Sequence, residues 1–193
     1  MRRIVAFDFD GTLTTKDTFV AFIRFTKDTT ALVLGFLCYA PLLVLMLLHL
    51  YPNYKAKQKV FSHFFKGMEL EEFNQHCEDF AVQCRHLMRQ EGERTVLQAR
   101  RDGAETIVIS ASVYNWVKPC VLAHDYLCTE VEVQDGRLTG RFLTKNCYGQ
   151  EKVRRLLEKY PHREDYHLTA YGDSRGDKEL LAFADEPHYK PFR

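Results

Sequence analysis

The chain has 193 residues, 46 % of them hydrophobic and 27 % charged, and its 27 Lys/Arg against 26 Asp/Glu leave a net charge of +1. That length holds one core domain plus a modest insertion, and the composition is ordinary for a globular protein. A balance this even supplies no general reason to expect nucleic acid or an acidic partner. Arg2 to Phe7 reads as a buried strand, and it runs directly into Asp8-Phe9-Asp10-Gly11-Thr12-Leu13-Thr14. An apolar run ended by a carboxylate and a glycine turn is how an open α/β sheet presents a reactive group at a strand's carboxyl end. Asp8 and Asp10 stand at i and i+2, so an extended chain sends both to one side. Gly11 allows the sharp turn behind them. Asp17-Thr18 then predicts the cap of a helix whose apolar face holds Phe19, Phe22, Ile23 and Phe25.

Ala31 to Leu50 carries no formal charge and approaches the length of a transmembrane helix. Pro41 at its centre would break or kink a helix, and lysines flank both ends, Lys27 before and Lys55, Lys57 and Lys59 after. A single crossing would also separate Asp8 from the later segments. The stretch therefore predicts two apolar helices hinged near Pro41. They form a buried cap or homodimer interface, or a membrane-surface contact, rather than a span. After the basic link Tyr54 to Lys59, the positions Leu70, Phe73, Cys77, Phe80, Cys84, Leu87 and Met88 recur at helical spacing, one side of a long amphipathic helix. Residues 15–92 thus read as an all-helical insertion.

From Glu93 the pattern changes. A short helix stops at Gly103, Glu105 to Ile109 reads as a buried strand delivering Ser110-Ala111-Ser112, and Val113 to Ala123 reads as helical around Pro119. Thr129 to Val133 and Arg137 to Phe142 flank Gln134-Asp135-Gly136, a hairpin signal. A helix over Gln150 to Lys159, a strand over His167 to Tyr171 ending at Gly172-Asp173-Ser174, a helix over Gly176 to Ala184 and a short strand near His188 to Lys190 complete the chain. Strands alternating with helices predict a parallel, three-layer α/β sheet whose right-handed crossovers collect the strand ends at one edge. Residue 4 already belongs to the first strand, so no signal peptide is expected ahead of it. The six cysteines form no Cys-X-X-Cys pair and no zinc-ligand spacing with the eight histidines. They read as reduced, buried small hydrophobes of a cytoplasmic, or membrane-associated, chain.

Four stretches far apart in sequence place polar groups where that edge should lie: Asp8 and Asp10, Ser110, Lys152, and Asp173 with Asp177. Clustered carboxylates repel one another unless a cation is present, and a hard, oxygen-seeking ion such as Mg²⁺ meets that need. A bound phosphate adds negative charge, which a hydroxyl, backbone N–H groups and an ammonium would balance. A carboxylate beside a phosphate can attack phosphorus in line.

With all four segments present in order, the chain resembles the haloacid dehalogenase superfamily, subfamily IB, in its phosphoserine-phosphatase-like branch. The resemblance implies a Rossmann-like core over residues 1–14 and 93–193, with a small helical cap of the C1 type over residues 15–92. It implies a Mg²⁺-dependent phosphatase acting on a small-molecule phosphomonoester through an aspartyl phosphate, with no nucleic-acid partner. Asp8 would be the nucleophile and Asp10 the general acid and base. Ser110, Ala111 and Lys152 would bind the phosphoryl group. The metal set would be Asp8, Asp10 through its backbone carbonyl, Asp173 and Asp177. Members that cleave carbon–halogen bonds lack the second acid, so Asp10 favours the phosphatase form. Asp17 stands where phosphoserine phosphatases carry an acid that reads the substrate amine, and it reads equally as a helix cap. The cap arginine of those enzymes is replaced by lysines near Lys55 to Lys59, which cannot make the same forked pairing. The apolar cap and Cys147 to Lys152 are also similar to bacterial relatives that dephosphorylate phosphatidylglycerophosphate. Phosphotransfer to an acceptor other than water is the further alternative.

Overall fold

The residues of the first strand alternate in burial direction, and both directions are covered, as a central parallel strand requires. The computed structural model describes residues 1–48 and 50–193. Its strands in chain order are β1 (Arg2–Phe7), β2 (Glu105–Val113), β3 (Asp125–Thr129), β4 (Val131–Gln134), β5 (Arg137–Phe142), β6 (Tyr166–Gly172) and β7 (Glu186–Tyr189). Its helices are α1 (Thr18–Thr26), α2 (Thr29–Leu47), α3 (Asn53–Phe65), α4 (Leu70–Gln83), α5 (Gln90–Arg101), α6 (Tyr114–Cys120), α7 (Gln150–Lys159) and α8 (Lys178–Phe183). Five strands form one parallel sheet in the order β3-β2-β1-β6-β7, and β4 and β5 form a separate antiparallel hairpin. One face of the sheet buries Ile4, Ala6, Ile107, Ile109, Leu168 and Ala170 under Val153 and Leu156 of α7 and Leu180 of α8. The other buries Phe7 and Val108 with Val96 of α5 and Trp116 and Val117 of α6. The architecture is the three-layer α/β arrangement expected from the alternation.

Register explains why distant segments meet. Phe7 lies opposite Val108 on one side and Tyr171 on the other. The residues just beyond these positions therefore emerge together at the carboxyl edge, namely Asp8, Ser110 and Asp173.

The helices α1, α3 and α4 share an aromatic core centred on Phe22. Its ring centroid lies 5.5 Å from Phe65, 5.5 Å from Phe73, 5.3 Å from Phe80 and 4.9 Å from Trp116. Trp116 belongs to α6, immediately after β2, so one aromatic cluster joins the helical segment to the sheet. The hairpin packs on α3: Phe142 and Phe61 are 5.1 Å apart, and the amide of Phe142 donates to Gln58 Oε1 at 3.1 Å. Its turn, Asp135-Gly136, has both residues at positive φ, 49° and 75°, as a two-residue hairpin demands.

Three local expectations are corrected. Residues 29–47 form one continuous helix, not two hinged at Pro41. Its inner residues Leu32, Phe36, Tyr39 and Leu43 pack on the aromatic core on both sides of the proline, so tertiary contact holds the halves in line. Its outer residues are exposed, Leu37 by 62 % and Leu47 by 71 %, so the segment is not buried within the cap. The periodic run from Leu70 to Met88 is not one helix: α4 ends at Gln83, and a single tight turn over Arg85–Leu87 follows. Leu87 and Met88 are still buried, so the periodicity recorded their burial and not their conformation. Thr129 to Val133 is not a single strand either, because Glu130 separates β3 in the main sheet from β4 in the hairpin.

Candidate active site

Asp8 leaves β1 still extended, at φ −69° and ψ 160°, and the chain then makes a wide turn closed by a bond from the Thr14 amide to the Phe9 carbonyl at 3.0 Å. Gly11 sits in that turn at φ +81°, and a Cβ there would lie 2.6 Å from Asp173 Oδ2. The backbone thus approaches a carboxylate from the other strand end as only glycine permits.

Lys152, on the first turn of α7, is 2 % exposed, and its ammonium donates to Asp8 Oδ1 at 2.6 Å and to Asp177 Oδ1 at 2.5 Å. Asp177 is fully buried; its other oxygen, Oδ2, accepts from the Asp173 amide at 3.1 Å, the Ser174 amide at 3.0 Å and the Ser174 hydroxyl at 2.9 Å. Asp173 accepts from the Thr12 hydroxyl at 3.3 Å and from the Arg193 guanidinium. Carboxylate oxygens of Asp8, Asp173 and Asp177 lie within 4.8 Å of one another.

Burial pushes Asp8 up to about 7; Lys152 pulls against this, and the neighbouring Asp177 and Asp10 add to it. Burial also works against the charged form of Asp177, but the Lys152 ammonium and the Ser174 donors outweigh it and hold the carboxyl below its usual value. The Lys152 ammonium is disfavoured by burial and more strongly favoured by Asp8 and Asp177, so it stays charged well above the ordinary lysine range. The Lys152 ammonium thus stabilises two carboxylates that repel each other, and is stabilised by both.

Asp10 occupies the same edge but has a different set of partners. Its Oδ1 accepts from the Thr18 amide at 2.8 Å and hydroxyl at 2.6 Å, and its Oδ2 from the Ser112 hydroxyl. Burial raises its pKa, and Asp17 adds to that, while Lys57, Ser112 and Thr18 oppose. Asp8 and Asp10 both lie at the carboxyl edge, but the carboxylate of Asp10 is not among the three clustered acids and takes Thr18 and Ser112 as its partners. Asp17 Oδ1 accepts from the Phe19 amide at 2.8 Å and caps α1. Ser110 is buried in β2 where the pairing with β3 shifts register between Ile109 and Val113, and its hydroxyl accepts from the Ser112 amide at 3.1 Å. That irregularity brings hydroxyls of one strand to the edge.

Sequence reasoning passed over several residues here. Thr12, Thr18 and Ser112 are hydroxyls common in any chain, and only the fold aims them at the acids. Lys57 of α3, which the sequence places in a basic link among the lysines that replace the cap arginine, donates its ammonium to the Ala111 carbonyl at 3.1 Å and stands 5.2 Å over the Phe19 ring. Arg193 reaches Asp173 because Phe192 stacks on Tyr171 at 5.5 Å and its carbonyl accepts from Arg89 Nη1 at 3.0 Å.

The donor set suits a hard divalent cation: three carboxylates, a hydroxyl, no thiol or imidazole in the cluster among the described residues, and a glycine cradle that brings Asp173 against the turn.

Comparison with known proteins adds four findings. Residues 5–182 match the family model of the haloacid dehalogenase-like hydrolases. Protein CicA of Caulobacter vibrioides is 35 % identical over 198 residues, covering 98 % of this chain and 86 % of that protein. A crystal structure of a Bordetella pertussis Tohama I protein of unknown function superposes with a TM-score of 0.82 at 20 % identity, over 97 % of this chain and 89 % of that one. A substrate-bound phosphoserine phosphatase superposes at 0.61 and 16 % identity, over 98 % and 86 %. At these identities the structural matches report a shared fold.

Proposed function

The chain belongs to the haloacid dehalogenase-like hydrolase family, and from that premise we propose that it is a phosphatase that cleaves phosphomonoesters through an aspartyl phosphate on Asp8. The observation that carries this reading is the convergence of Asp8, Lys152, Asp173 and Asp177 from three separate segments, with Lys152 2.6 Å from Asp8 and the acids within 4.8 Å.

In the proposed reaction, one Asp8 oxygen attacks phosphorus while the ester bond to the leaving oxygen breaks, and Asp10 gives its proton to that oxygen. The raised pKa of Asp10 favours the protonated form this step needs. Asp10, now ionised, takes a proton from water as the water attacks the aspartyl phosphate, which returns Asp8 as a carboxylate and releases inorganic phosphate. Thr18 and Ser112 hold the Asp10 carboxyl in place for both transfers. Lys152 and Ser110, with the strand-end backbone at Ala111, balance the phosphoryl oxygens; Asp177 orients Lys152. Mg²⁺ held by Asp8, Asp173 and the Asp10 carbonyl, with Asp177 nearby, would supply the positive charge that lets carboxylate and phosphate approach. Residues 15–92 act as a cap, and Lys57 and Asp17 face the substrate from that side. Free thiols at all six cysteines support the cytoplasmic reading.

Two tests separate the alternatives. Asp8→Asn should lose at least ~10³-fold in turnover, because no nucleophile then remains; full turnover in that variant ends the proposal. Release of inorganic phosphate in the presence of candidate acceptors, with no phosphorylated acceptor formed, eliminates phosphotransfer. A lipid-linked phosphomonoester is the second reading of the substrate, favoured by the exposed apolar face of α2.

A further inference from the structure

The helix α2 presents an apolar face that the protein itself does not cover. Val33, Leu34, Leu37, Val44, Leu45 and Leu48 lie at helical spacing on one side and are 42–62 % exposed. The opposite side, Leu32, Phe36, Tyr39 and Leu43, packs on the aromatic core, and Gly35 sits so close to Phe64 that a Cβ would come within 2.3 Å of the ring. The helix is therefore seated by its inner face, and the outer stripe, about 22 Å long from Val33 to Leu48 at 1.5 Å per residue, is its finished surface.

We propose that this stripe docks on the surface of an anionic lipid bilayer, with α2 lying in the plane of the interface. A span is excluded by the two ends of the helix. α1 before it supplies Thr18 to Asp10, and α3 after it supplies Lys57 to the Ala111 carbonyl. Both flanking helices thus reach one site, which must lie on one side of the membrane. A second copy of the chain fits less well, for two reasons. The six described residues of the stripe carry no hydrogen-bonding side chain, whereas protein interfaces carry roughly one hydrogen bond per 100–200 Å². From Thr18 to Met68 the exposed charged residues are the four cations Arg24, Lys55, Lys59 and Lys66 against the single acid Asp28, in a protein of net charge +1. Two such surfaces would repel, and an anionic headgroup layer complements them. Arg24, Lys55, Lys59 and Lys66 are exposed, and exposed Tyr54 follows the apolar stretch where an interfacial aromatic belongs.

The test is flotation of the full chain with vesicles of phosphatidylcholine alone or with about 30 % phosphatidylglycerol, with light scattering of the lipid-free protein beside it. The wild type should float with the anionic vesicles at least about tenfold more than with neutral ones, and less as salt rises from about 0.1 M to about 0.5 M. Leu37→Glu/Leu45→Glu should remain unbound while its melting profile is unchanged. Lys55→Ala/Lys59→Ala, which leaves the stripe intact, should lose the preference for anionic lipid. Failure of the wild type to float, equal binding to neutral vesicles, or a lipid-free dimer that dissociates in the double glutamate variant would overturn the proposal. None of these readouts depends on phosphatase turnover, so the two proposals fail separately.

Discussion

Asp10 is the residue whose role is most directly tested by changing the substrate instead of the protein. Held by Thr18 and Ser112 and with its pKa raised by burial, it is the group proposed to protonate the departing oxygen. Asp10→Asn should lower turnover of an alkyl phosphate by roughly 10²–10⁴-fold and of p-nitrophenyl phosphate far less, because the latter's leaving group needs no proton. Equal losses on both substrates would show that Asp10 acts otherwise. Among the site residues, Asp8, Lys152, Asp173 and Asp177 were legible in the chain because each follows a strand or opens a helix at a place the alternation predicts. Thr12, Lys57 and Arg193 were not. Their partners lie far away in sequence (Asp173 is 161 residues from Thr12), and no local pattern records such a pairing.

At the scale of single elements, α2 and α7 each make a measurable claim. Pro41 is exposed and lies inside α2, so it costs the helix a backbone hydrogen bond and contributes no packing. Pro41→Ala should raise the melting temperature, with a gain of about 1–3 kcal/mol; a lowered melting temperature would mean that the proline stabilises the helix in place. In α7, Glu151 receives Arg154 at 2.6 and 2.8 Å and Arg155 at 3.0 Å, which hold its carboxyl at about 2 against an ordinary 4.5. A depressed carboxylate contributes stability that is present above the ordinary value and is lost as pH falls from about 4.5 toward 2. Glu151→Gln should therefore cost on the order of 1–2 kcal/mol at pH 7 and almost nothing near pH 2. Thermal melts of both proteins across that range check it, and parallel acid limbs would refute it. The elements themselves were readable to within a few residues wherever periodicity and a cap agreed, as in α7. They were misread at Pro41 and at Cys84, where packing on the aromatic core, and not propensity, decides the path of the backbone.

The whole molecule enters through the cation. The proposed ligands Asp8 and Asp173 are 165 residues apart in the chain, follow neighbouring strands and meet only through sheet register. The unfolded chain has no such site, so a divalent ion should stabilise the fold, by about 2.7 kcal/mol at one hundred times its dissociation constant. Addition of Mg²⁺ should raise the melting temperature, chelation should reverse it, and Asp173→Asn should remove the response; a wild type indifferent to Mg²⁺ would contradict the assignment. The sequence by itself determined the alternation of strand and helix, the parallel sheet, and the identity of the acids and the lysine at its edge, because burial periodicity and strand-end chemistry are local properties. Tertiary structure alone decided that Asp10 turns to Thr18 and Ser112, that Lys57 reaches Ala111, that the hairpin lies on α3, and that one side of α2 stays uncovered. Those outcomes depend on which surfaces pack together, and packing partners are chosen by shape and register across the fold, which no stretch of neighbouring residues encodes.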